Sequence, residues 1–127
     1  MKTLAQRMSE IDELRPPAQI EVFVELLGLE LTVEFLLAFG GSPIQLSMRP
    51  QAGTLLSEVL SQEQISALAQ ATGGGWYRVP TCKPFLCSYF SGMGMSASAI
   101  ARKLHITDTT VRSMLRREAN RLQLSLF

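Results

Sequence analysis

The sequence predicts a mostly helical α+β protein: a helical dimerisation body with one or two short β-strands, followed by a C-terminal helix-turn-helix. Three features carry this expectation. Apolar residues recur at helical spacing through much of the chain. The chain repeats itself when shifted by 33 residues, each copy reading as helix, Gly-Gly stop and short strand. The last 30 or so residues combine a small residue at a helix crossing with apolar residues at the offsets two packed helices need. With 127 residues, 46% of them apolar, the chain is long enough to bury a core.

The elements follow in order. Leu4, Met8 and Ile11 or Leu14 stand at helical spacing, and Pro16-Pro17 stops that short helix. Residues 20–39, IEVFVELLGLELTVEFLLAF, are dense in Leu, Val and Phe, while Glu21, Glu25, Glu30 and Glu34 recur four or five apart. That spacing draws the acids into one polar stripe on a helix, or on two helices that break near Gly28. The repeat units lie at about 20–47 and 53–80. In them Glu25 falls over Glu58, Phe35 over Leu68, Gly40-Gly41 over Gly73-Gly74, and Ile44 and Leu46 over Tyr77 and Val79. A helix that turns sharply into an extended segment needs a residue tolerant of positive φ, which explains the glycines. The short strands, 43–47 and 76–79, must pair, either with each other or with those of a second chain. In the second case Ile44, Leu46, Trp76, Tyr77 and Val79 form a dimer interface. Residues 83–93 read as a further helix with a Phe85, Leu86, Tyr89 and Phe90 stripe, and Gly92 and Gly94 make a hinge after it. Domains are expected at 1–94, the dimerising body, and 95–127.

Charge divides along the chain. Residues 1–99 hold six Lys/Arg and nine Asp/Glu, a formal −3; residues 100–127 hold six and two, a formal +4. A polyanion partner is expected for the C-terminal end alone. No stretch approaches the roughly 18 apolar residues of a membrane span. The first residues, MKTLAQRMSEIDEL, mix charge into the apolar positions in a way secretory signals do not, so a cytoplasmic, nucleoid-associated location in a bacterial cell is expected. Cys82 and Cys87, with the single His105, make no complete ligand set; no metal or cofactor is expected, and both cysteines read as small apolar thiols. Without a His–carboxylate pairing or a phosphate-binding glycine loop ahead of a helix, the chain does not read as an enzyme or as a binder of a small-molecule substrate.

The segment at about 97–116, ASAIARKLHITDTTVRSMLR, carries the functional expectation. Ala101 is the small residue at the crossing, and Ile100, Leu104, Ile106, Val111 and Met114 are the shared core. His105 occupies the turn position where glycine is commonest. Thr107 is the expected N-cap of the second helix, with Asp108 complementing its positive end. That helix then exposes Thr109, Thr110, Arg112, Ser113 and Arg116, side chains able to reach base edges in a major groove. Ser98, Arg102, Lys103, Arg117 and Arg121 suit the phosphate backbone. The alternative is a helical pair that serves only packing or protein contact.

Taken together, LLGLELTVEFLLAFGG (26–41), GGGWYRVP (73–80) and IARKLHITDTTVRSML (100–115) resemble the Mor transcription activator family, the middle-operon regulators of Mu-like phages and their prophage relatives. The resemblance implies a dimer that binds double-stranded DNA at an interrupted inverted repeat beside a promoter and recruits RNA polymerase. Two features depart from the family pattern. The Gly-Gly unit occurs twice, and TCKPFLC (81–87) stands where relatives carry a more basic stretch. Activation and repression both remain open, as does a protein-interaction module that does not read DNA.

Overall fold

In the computed structural model the described residues are 16–125, with the backbone alone described at 122–125; the helix expected over 4–14 lies outside them. They form six α-helices, two short 3-10 turns and a two-stranded antiparallel sheet, a mostly helical α+β arrangement. Two compact units divide between Cys82 and Lys83.

The first unit, Pro16–Cys82, opens with a 3-10 turn, Ala18–Ile20, leading into α1 (Glu21–Leu27) and α2 (Leu29–Phe39). The two helices are separate because Gly28 takes φ 84° and ψ 161°, a conformation that glycine alone adopts readily. Its carbonyl accepts both the Thr32 N–H (3.1 Å) and the Thr32 hydroxyl (2.7 Å), so Thr32 is fully buried with its polar atom satisfied. Glu21, Glu25, Glu30 and Glu34 are all exposed, as the acidic stripe requires. Phe23 stacks on Phe35 at 5.2 Å between ring centres, and these rings with Ile20, Val33 and Leu36 make the core between α1 and α2.

Strand β1 (Pro43–Leu46), a 3-10 turn (Leu56–Glu58), α3 (Gln62–Thr72) and β2 (Gly75–Arg78) complete the unit. A reciprocal cap starts α3: the Ser61 hydroxyl accepts the Gln64 N–H, and the Gln64 side chain accepts the Ser61 N–H. Gly73, left-handed at φ 91°, ends it. The strands pair with each other: Pro43 opposite Arg78, Ile44 opposite Tyr77, Gln45 opposite Trp76, Leu46 opposite Gly75. Ile44 and Tyr77 are also the residues that the 33-residue shift superposes, so the shift carries the Pro43–Arg78 pair onto Gln45–Trp76. The two strands thus meet about a local pseudo-two-fold within one chain.

The second unit, from Lys83 onward, consists of α4 (Lys83–Gly92), α5 (Ala97–Leu104) and α6 (Asp108–Ser125). Each helix packs on the other two. Residues Phe85, Leu86, Cys87 and Phe90 of α4, Ile100, Ala101 and Leu104 of α5, and Val111 of α6 are buried. The division therefore falls before α4, whereas the boundary expected from the glycines lies after it. The physical reason is that the apolar stripe of α4 is covered by α5 and α6.

Candidate nucleic-acid interface

Side-chain and backbone hydrogen bonds cap α5 at both ends and α6 at its start. Ser96 caps α5, its hydroxyl accepting the Ala99 N–H at 3.1 Å. At the far end His105 takes a left-handed conformation (φ 57°, ψ 44°), and its N–H bonds the Ala101 carbonyl. The Ile106 N–H reaches the same carbonyl at 3.1 Å. Thr107 caps α6: its hydroxyl accepts the Thr110 N–H at 3.1 Å and lies 2.7 Å from the Thr110 hydroxyl.

Below the turn, Ile100, Ala101, Leu104 and Val111 are buried, and Ile106 and Met114 are half-buried. The Cys87 thiol of α4 points at the Met114 sulfur, 3.8 Å away, which ties α4 beneath α6. Burial pushes the Cys87 thiol above its ordinary pKa, with Lys83 opposing, so it stays neutral.

At about 100° per residue, the side of α6 opposite Val111 carries Thr109, Ser113, Arg116 and Asn120. Thr109 and Arg116 are exposed and Ser113 is half-buried; Thr110 is also half-buried and turned to the cap. Arg112, exposed on one flank, donates to Asp108 at 2.6 Å. That hydrogen bond, aided by the arginine's charge, holds the Asp108 carboxyl below its usual range. Arg121 pairs with Glu118 one turn further on. Ser98, Arg102, Lys103 and Arg117 are exposed, and Lys103 lies 5.2 Å from the centre of the Phe90 ring. Arg102, Arg116 and Arg117 have no ion pair among the described residues. Such a surface offers unneutralised guanidinium forks beside hydroxyls on a helix with a satisfied N-terminus, chemistry suited to phosphates and purine edges.

The support that α4 gives this pair is not legible in residues 83–93, because periodicity shows which face is apolar and not what covers it. The spacing of Asp108 and Arg112, by contrast, is legible as a helical i,i+4 pair.

The five residues expected at a dimer interface separate. Ile44, Leu46 and Val79 are buried within the first unit itself, at 6%, 2% and 0% exposure. Tyr77 is half-buried, 5.4 Å from the Phe23 ring, with its hydroxyl donating to the Gln19 carbonyl at 3.4 Å. Trp76 is 74% exposed. Among the described residues no group of three or more His, Cys, Asp or Glu could hold a metal ion, and no helix is long and apolar enough to cross a membrane.

Comparison with known proteins finds no match to a family model, to a curated protein or to a solved structure.

Proposed function

We propose that α5 and α6 act as a DNA-binding helix-turn-helix and that the chain is a sequence-specific transcription regulator of the Mor kind. In this reading it is an activator that binds a promoter-proximal inverted repeat as a homodimer and recruits RNA polymerase. One observation carries the proposal: the face of α6 opposite the buried Val111 presents Thr109, Ser113 and Arg116, with Arg102, Lys103 and Arg117 as further exposed cations of the same unit.

The N-terminal half of α6 enters the major groove. Arg116 forks onto guanine O6 and N7, while the hydroxyls of Thr109 and Ser113 reach neighbouring base edges or phosphates. Arg112 shares its five donors between Asp108 and the duplex. Ser98, Arg102, Lys103, Arg117 and Arg121 hold the backbone. One such unit makes few phosphate contacts, and nonspecific binding at about 10⁻⁴ to 10⁻⁶ M would not hold an operator. A second copy supplies the second half-site, about 34 Å away or a multiple of that. Because β1 and β2 already pair with each other, the copies associate without exchanging a strand.

Selection of bound fragments from random duplex DNA tests this directly. Enrichment of an inverted repeat, lost in Arg116→Ala, is the expected result. Failure to enrich any sequence would instead favour a module that grips another protein.

A further inference from the structure

The outer face of the β1–β2 ribbon carries a second constellation, independent of α5 and α6. Strand residues alternate between faces, so Tyr77 turns inward to Phe23 while Trp76 and Arg78 share the outward face with Gln45, the residue opposite Trp76. Trp76 is 74% exposed and has no aromatic neighbour among the described residues. It borders a half-open cavity of about 610 Å³ whose lining includes Phe39, Leu56, Ile65, Gln45 and Arg49. Arg49 makes no ion pair among the described residues. Arg78 is held along the ribbon by one bond to the Gly41 carbonyl, 3.2 Å, leaving other N–H groups available.

Charge makes this placement informative. The first unit, Pro16–Cys82, contains six Glu and two Arg, a formal −4; Arg49 lines the same cavity as Trp76, and Arg78 lies two residues along the same strand face. A structural tryptophan would be covered, and a solubilising arginine would fall anywhere on the surface. An open indole face beside a cavity of ligand size that Arg49 also lines, with Arg78 on the same strand face, matches a flat aromatic group that carries negative charge.

We propose that this face binds a nucleotide, its base stacked on Trp76 and its phosphate held by Arg49 and Arg78. The base must be unstacked to reach the indole, so the ligand is a free nucleotide or one residue of a single strand, and not an intact duplex. Bound there, it would give the proposed regulator an input separate from its operator, although the site itself does not depend on that function.

Trp76 is the only tryptophan, so its fluorescence reports the site in the full chain. The experiment titrates the protein with adenosine monophosphate and, separately, with a ten-nucleotide single strand, and repeats both by calorimetry with Trp76→Ala, Arg49→Ala and Arg78→Ala. Saturable quenching is expected, with affinity falling about tenfold in each variant. Quenching by the mononucleotide identifies a free ligand; quenching by the strand alone identifies a nucleic-acid source. Duplex binding should be unchanged in Arg49→Ala and lost in Arg116→Ala, which separates this site from the helix-turn-helix. No quenching by either ligand, equal affinity in the arginine variants, or fluorescence that changes with protein concentration alone would overturn the proposal.

Discussion

Asp108 performs two tasks on α6. Its carboxylate complements the positive helix end, and it restrains Arg112, a residue the proposed readout needs. Because the Arg112 hydrogen bond depresses its folded pKa, the stabilisation is present above the unfolded value of about 3.9 and is lost as pH falls through the lower folded value. Thermal melts should therefore show wild type more stable than Asp108→Asn near neutrality, with the difference shrinking as pH falls below about 4. His105 is the other residue under constraint, since a left-handed backbone disfavours side chains with a β-carbon. Substitution to glycine should stabilise by about 0.5–1 kcal/mol net of the added unfolded-state entropy, and His105→Val should cost more than about 1 kcal/mol, both read from urea midpoints.

At the scale of elements, the cap of α6 and the core beneath it should separate in their effects. Thr107→Ala is expected to cost about 1 kcal/mol through the lost N-cap. Ile100→Ala, which empties a fully buried position, is expected to cost about 2–5 kcal/mol, each measured by chemical denaturation. Much of this element structure was legible beforehand. The positions of Ala101, His105 and Thr107 place the turn where it occurs, and the doubled Gly-Gly unit marks where α2 and α3 stop and where each strand follows. What could not be read was partnership. Alternation in 43–47 and 76–79 shows that one face is buried and is the same whether a strand pairs within the chain or across a dimer. The stripe on α4 likewise signals burial but not that α5 and α6 provide it. Trp76 and Tyr77 look alike in sequence, and only the strand register turns one outward and the other into the core.

The whole molecule is polar in charge. The first unit is formally −4, and residues 83–127 hold seven Lys/Arg against two Asp/Glu, a formal +5. A uniform composition near neutrality would not attract a polyanion, whereas this division concentrates the attraction on the unit containing α5 and α6. The candidate DNA-contacting residues were legible because Arg102, Lys103, Arg112, Arg116, Arg117 and Arg121 cluster within one stretch of sequence. Arg49 and Trp76 lie far apart in the chain and come to line one cavity only through folding. The most direct measurement of the central claim is the affinity of the full chain for duplex DNA across a salt series. Binding should weaken steeply between about 50 and 200 mM salt, and Arg117→Ala should lower the slope of log K against log salt by about 1. Affinity that ignores salt, or an unchanged slope in Arg102→Ala, Arg116→Ala and Arg117→Ala alike, would contradict the assignment of α5 and α6 to DNA.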